Sequence, residues 1–171
     1  MGLERLWAGW RAGYVGTEPG VLGPGQGDDP CVLCRILGSP EPDEATLTVW
    51  RGRSCVVVLN VFPYTSGHLM VVPVRHVGDL ETLEPGEAAE LWGAATAAVV
   101  ALKATYGPQG INLGANLGRA AGAGVPGHLH LHCLPRWDGD TNFMTAVAEA
   151  RVVPEALPVT WARLRESWPS T

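Results

Sequence analysis

Apolar and polar positions along this chain change period twice, and the changes mark out its elements. Thr46 to Trp50 (TLTVW) alternates and is rich in β-formers, which predicts a strand. Arg51-Gly52 turns the chain, and Ser54 to Asn60 (SCVVVLN) is a continuous apolar run that predicts a second, fully buried strand. Phe62 to Ser66 links it to a third strand, Gly67 to Val74 (GHLMVVPV), with Pro73 near its end. The period then becomes helical. Pro85 suits a first turn, and Ala88, Leu91, Trp92, Ala95, Val99 and Leu102 recur at helical spacing down to Tyr106, where Gly107-Pro108 stops the helix. Ile111 to Leu117 (INLGANL) and His128 to Leu134 (HLHLHCL) read as fourth and fifth strands. Pro154 to Trp168 reads as a short C-terminal helix with Trp161 and Trp168 available to pack. Three strands, a helix and two strands imply an α+β fold with a mostly antiparallel five-stranded sheet. Before it, Leu6, Trp7 and Trp10 would share one face of a helical turn, and Gly16 to Pro30 is a loop by composition. The expected organisation is an N-terminal extension and loop (1–30), a central domain (31–144) and a tail carrying the short helix (145–171).

Composition narrows the classes. The 171 residues are 46% hydrophobic and 17% charged, enough to build one core and too apolar for a disordered chain. A formal charge of −5 argues against a broad basic face for nucleic acid, while leaving room for a local anion pocket. The longest apolar run, Cys55 to Leu59, is far short of the roughly 20 residues of a membrane span. With no basic start followed by an apolar stretch, the expectation is a cytoplasmic protein that engages neither membrane nor nucleic acid. Four cysteines are too few for a disulfide framework. Cys55 and Cys133 lie in apolar segments and are expected in the core. Cys31 and Cys34 form a C-x-x-C pair, which by itself suits a redox pair, two buried thiols or half a metal site.

Three histidines within five residues carry the chemistry. On a strand, alternation sends His128, His130 and His132 to one face, and Leu129 and Leu131 to the other. Just upstream, Gly118 to Gly127 holds four glycines, whose backbone N–H groups can approach an anion closely; phosphate is the expected guest. Gly122-Ala-Gly124-Val-Pro-Gly127 matches G-x-G-x-x-G, yet an alternating strand follows it where a dinucleotide-binding unit needs a helix, so that reading is rejected. A neutral imidazole can attack phosphorus if its far N–H is held by a hydrogen bond, and a neighbouring imidazole can donate to the oxygen on which charge builds. His130, flanked on both sides, is the expected nucleophile, and His132 its stabilising partner.

The run His128-Leu-His130-Leu-His132-Cys-Leu, extended by Pro135 to Phe143, resembles the histidine triad (HIT) superfamily. The resemblance covers about Cys31 to Met144, and the opening Leu6-Trp7-Ala-Gly-Trp10-Arg11 is similar to a bacterial subgroup, the diadenosine polyphosphate hydrolase/phosphorylase-like branch. It implies an α+β homodimer that attacks the α-phosphate of nucleotidyl compounds through the middle histidine, His130. It also implies that Asn60 meets the ribose hydroxyls and that Asn116 lies near the scissile phosphates; each has the plainer role of a turn residue. Many relatives carry Gln-Ser or Gln-Thr just before the triad. Gly124-Val125 stands there instead, leaving backbone N–H donors for the leaving phosphate. Val58 and Ile36 resemble the apolar clasp on the base, and both also read as core. His68 aligns with a histidine near the catalytic strand of some relatives, where a buried hydrogen-bonded role is expected.

The branch that includes galactose-1-phosphate uridylyltransferase pairs a similar C-x-x-C with two histidines for zinc. The corresponding set here is Cys31, Cys34, His76 and His128, a four-ligand structural site. The resulting expectation is a nucleotidyl hydrolase or transferase acting on dinucleoside polyphosphates or nucleotidyl adducts, with a divalent cation able to accompany the substrate. Phosphate in place of water as acceptor would make it a diadenosine tetraphosphate phosphorylase. The competing classes are a non-catalytic, zinc-stabilised nucleotide-binding adaptor and a redox protein using Cys31 and Cys34.

Overall fold

A computed structural model describes residues 31–140 and 155–170. Among the described residues a six-residue helix, α1 (Val32–Leu37), comes first, followed by β1 (Thr48–Arg51), β2 (Cys55–Leu59) and β3 (Leu69–Pro73). The long helix α2 (Pro85–Tyr106), β4 (Gly110–Gly114), β5 (Leu131–Arg136) and α3 (Leu157–Glu166) complete the described elements. The strands form one sheet in the order β1-β2-β3-β5-β4, every neighbour antiparallel. The α+β fold and its five-stranded sheet stand as expected. The turn of residues 1–12 and the loop of residues 16–30 lie outside the described residues.

Strand alternation divides the core in two. On one face, Val57, Leu59, Leu69, Val71, Leu131 and Cys133 pack against Leu91, Ala94, Ala95, Ala98, Ala101 and Leu102 of α2. On the other face, Val56, Val58, Met70 and Val72 pack with Cys31 and Leu33, with Ile36 and Val125 set against them. Cys55 and Cys133 are fully buried, and burial pushes both thiols up to about 12. The helix α2 begins at Pro85, with the Glu87 carboxylate accepting the Glu84 backbone N–H at 2.9 Å, and ends at Gly107 in the left-handed conformation.

Several boundaries differ from the sequence reading. β1 starts at Thr48, because residues 43–47 are consumed in turns and Leu47 has φ +56°. β3 starts at Leu69: Gly67, at φ +80°, turns the chain, and a Cβ there would come within 2.9 Å of Tyr106. β4 ends at Gly114, where its register with β5 runs out at His132. β5 starts at Leu131, so His128 and His130 lie on the extended lead-in to the strand rather than on its ladder. Trp92, expected on the core face of α2, is 53% exposed, since the alanine-rich stripe of Ala94, Ala95, Ala98 and Ala101 is what lets α2 sit close to the sheet. α1 was not legible as a helix. The C-terminal helix is confined to Leu157–Glu166. Trp161 donates its indole N–H to the Thr48 carbonyl at 2.7 Å, and Trp168 stacks on Trp50.

Candidate active site and metal centre

The side-chain alternation expected around the triad survives the shift of the strand boundary. Leu129, Leu131 and Cys133 enter the α2-facing core, so His128, His130 and His132 share the opposite face. There the register sets His132 beside Met70 on one side and Gly114 on the other. All three imidazoles are buried or nearly so.

Each ring has a defined tautomer, because each has a partner that can act in only one way. His130 Nδ1 lies 2.8 Å from the backbone carbonyl of His128 and must donate to it, which leaves Nε2 with its lone pair bare. Burial pushes His130 below the usual histidine range, against a smaller upward pull from that carbonyl bond. His132 Nδ1 lies 2.9 Å from His68 Nε2. His68 Nδ1 receives the Tyr64 backbone N–H at 3.2 Å and faces the Asn60 amide nitrogen at 3.3 Å, so it is an acceptor and Nε2 carries the proton. That proton is donated to His132 Nδ1, and the proton of neutral His132 sits on Nε2. Burial, with the neighbouring His130 second, pulls His132 down to about 4. The two triad rings meet edge to face with centroids 4.9 Å apart. The arrangement therefore offers a bare nitrogen on His130 beside an N–H on His132.

The loop leading into the triad is pinned rather than free. Gly118 and Gly122, both at positive φ, bracket a 3-10 turn at Arg119–Ala121, and Asn116 donates from Nδ2 to the Gly122 carbonyl at 3.4 Å. Gly124 is exposed, while Val125 packs against the second apolar cluster. Asn60 Oδ1 accepts the Phe62 backbone N–H at 2.9 Å, so its side chain organises the β2–β3 turn. Val58 is fully buried within β2, and the half-buried Ile36 of α1 lies against the same cluster. For His68 the resemblance implies only a buried hydrogen-bonded role; its contact with His132 spans 64 residues of chain and has no local signal.

Cys31, Cys34, His76 and His128 converge behind the triad, their ligand atoms all within 4.8 Å of one another. His128 Nδ1 is 3.3 Å from the Cys31 sulfur and 3.4 Å from that of Cys34; His76 Nδ1 is 3.1 Å from the Cys34 sulfur. His128 Nε2–H donates to the Pro73 carbonyl at 2.8 Å, which fixes the tautomer with Nδ1 bare and aimed at the sulfurs. Two thiols and two imidazole nitrogens at these separations are edges of a tetrahedron around one ion, so the four residues can hold a metal. Arg75, next to His76, grips Glu87 of α2 through two bonds of 2.9 and 2.6 Å and so anchors the segment.

Comparison with known proteins agrees with this geometry. The HIT domain matches residues 43–139. The chain is 39% identical over 166 residues to the AP-4-A phosphorylase of Mycobacterium tuberculosis, covering 97% of this chain and 85% of that protein. A zinc-bound histidine triad family protein from Mycobacterium smegmatis superposes with a TM-score of 0.65 at 27% identity, over 80% of this chain and 91% of its own. A hypothetical histidine triad nucleotide-binding protein from Sulfolobus tokodaii gives the same TM-score at 26% identity and the same coverage. With the matched span, the relatives and the triad geometry in accord, the chain belongs to the HIT domain family and is an enzyme of the nucleotide hydrolase and transferase kind.

Proposed function

We propose that this protein cleaves dinucleoside polyphosphates at the α-phosphate through a covalent nucleotidyl-histidine at His130. The observation that carries the reading is the bare Nε2 of His130, held by the bond from Nδ1–H to the His128 carbonyl, beside the donor Nε2–H of His132. In the first step His130 Nε2 forms a bond to the α-phosphorus, and the bond from that phosphorus to the bridging oxygen breaks. His132 donates to the departing oxygen as charge gathers there. His130 keeps its Nδ1 proton on the His128 carbonyl throughout. Water or inorganic phosphate then attacks the phosphoramidate and frees the ring.

Supporting parts follow. Backbone N–H groups of the Gly118–Gly127 loop receive the phosphates, Asn116 stands at that loop, and the half-buried Ile36 and Val125, in the same apolar cluster as the buried Val58, take the base beside Asn60 at the ribose. A divalent cation accompanies the polyphosphate as part of the substrate. The 39% identity to a protein named AP-4-A phosphorylase favours diadenosine tetraphosphate and phosphate as acceptor. Zinc suits the Cys31, Cys34, His76 and His128 set, with two thiolates and two imidazoles closing the coordination and leaving the ion a structural role. None of the four cysteines is in a disulfide, which supports a reducing, cytoplasmic setting. Among the described residues no helix is long and apolar enough to cross a membrane. A homodimer is favoured by the exposed strand β4 and by Trp92 and Val100, exposed on α2.

The test is product analysis with diadenosine tetraphosphate, with and without inorganic phosphate. ADP plus ATP is expected when phosphate is present; AMP plus ATP in its presence would assign water as acceptor. No product and no covalent nucleotidyl adduct from any dinucleoside polyphosphate would return the protein to the adaptor class.

A further inference from the structure

The metal cluster and the candidate nucleophile share one residue. His128 directs Nδ1 at the two sulfurs, donates Nε2–H to Pro73 at the end of β3, and accepts the His130 Nδ1 proton on its backbone carbonyl at 2.8 Å. Its own backbone N–H donates to Val125 of the glycine loop at 3.2 Å. One step along, Leu129 N–H donates to Val77 at 2.6 Å, so the segment after His76 runs directly against the segment that carries the triad. Thus the side chain of residue 128 belongs to the metal set, while its main chain holds both the nucleophile's tautomer and the loop.

That peptide is held through its Leu129 N–H by Val77, one residue after the ligand His76, and not by the sheet. Residues 128–130 precede the β5 ladder, which begins at Leu131, so the sheet register does not set the orientation of the His128 carbonyl. Three of the four ligands come from elsewhere, two from the start of the described chain around α1 and one from the segment following β3. A bound ion would tie these segments to His128 and stop its peptide from rotating. Without the ion, the imidazole keeps its Pro73 bond and its contacts to sulfur, but the tie through metal to Cys31, Cys34 and His76 is gone.

We propose that the metal centre positions the nucleophile: ion binding at Cys31, Cys34, His76 and His128 holds the His128 carbonyl where it keeps the proton of His130 on Nδ1. This rests on the function proposed above for its kinetic consequence, but the tautomer itself is read without substrate. His128 and His76 are in this sense positioning residues for His130, and a shift of about 1 Å in the carbonyl is enough to cost on the order of a hundredfold in rate.

The experiment uses the full chain loaded with zinc, the same protein after chelation, and two variants of the exposed ligand, His76→Ala and His76→Cys. Long-range proton–nitrogen NMR reads the His130 tautomer, metal analysis reads zinc, circular dichroism reads folding, and single-turnover reaction with diadenosine tetraphosphate reads nucleotidyl transfer. In the loaded protein His130 is expected wholly as the Nδ1–H tautomer. Chelation or His76→Ala is expected to give mixed tautomers and a single-turnover rate lower by about a hundredfold, a loss at least about tenfold greater than that in AMP affinity. His76→Cys restores a four-ligand set and is expected to recover both zinc and tautomer. Should chelation unfold the chain, folded His76→Ala at substoichiometric zinc reads the same coupling. Unchanged tautomer and rate in folded, zinc-free protein overturn the proposal. A tautomer that responds to zinc, with no adduct even from the loaded protein, supports the coupling and removes only the proposed function.

Discussion

His68 Nε2 stands 2.9 Å from His132 Nδ1, and the backbone N–H of Tyr64 behind it dictates which way the proton points. The chain Tyr64 N–H, His68, His132 has a single consistent polarity, ending in a donor on His132 Nε2. His68→Ala removes the donor to His132 and leaves a buried acceptor unsatisfied, at a cost of about 1–3 kcal/mol in stability. Its kcat is expected to fall by about 10- to 100-fold with nucleotide affinity little changed. His68→Gln, which can accept from Tyr64 and donate to His132, should recover part of the loss. Steady-state kinetics on both variants checks this; equal loss in the two would show that the donor polarity does not matter.

His130→Ala is expected to abolish turnover and the covalent adduct while keeping AMP binding within about tenfold. Mass spectrometry of the trapped adduct and calorimetric titration with AMP measure the two halves separately.

Burial depresses His130 and His132 in the folded chain, the latter from 6.5 to about 4. Between those two values the unfolded chain binds protons that folded His132 refuses, so stability falls as pH drops from about 6.5 toward 4. The slope this histidine contributes is up to about 1.4 kcal/mol per pH unit. Denaturation midpoints of wild type and His132→Asn should therefore converge as the solution becomes acidic. The same depression keeps His130 neutral, and the acid limb of kcat/KM is expected below 6.5. A limb at or above 6.5 would contradict a buried nucleophile.

At Gly78 a Cβ would sit 2.8 Å from the Pro126 carbonyl oxygen and 3.3 Å from Gly127 backbone atoms. Backbone cannot yield as a side chain does, so Gly78→Ala must push the His76 segment from the glycine loop. The expected cost is about 1–3 kcal/mol, with weaker zinc retention, measured by thermal melting and metal analysis after dialysis.

Legibility in the sequence followed the range of the interaction. Alternation in Leu129, His130, Leu131 and His132 is local and put the imidazoles on one face, even though the strand itself begins only at Leu131. The two cysteines and two histidines that the family resemblance grouped do converge. α1 escapes sequence reading because its six residues form fewer than two turns, and their burial is set by the sheet they cover. Trp92 was misplaced because α2 is apolar on more than one side, so spacing alone did not reveal that alanines mark the packed stripe. The tautomer chain through His68 depends on contacts between distant segments and a turn closed by Asn60, which no periodicity encodes.

The C-terminal helix has a consequence for growth of the sheet. Trp161 takes the Thr48 carbonyl at 2.7 Å, and Arg165 reaches Asp43 at 2.8 Å, where Arg51 also binds, so side chains occupy the outer margin of β1. Among the described residues the other margin, β4, carries no such cover. A sheet capped at one border can join another copy only along the remaining one, which permits a closed pair and forbids an endless ribbon.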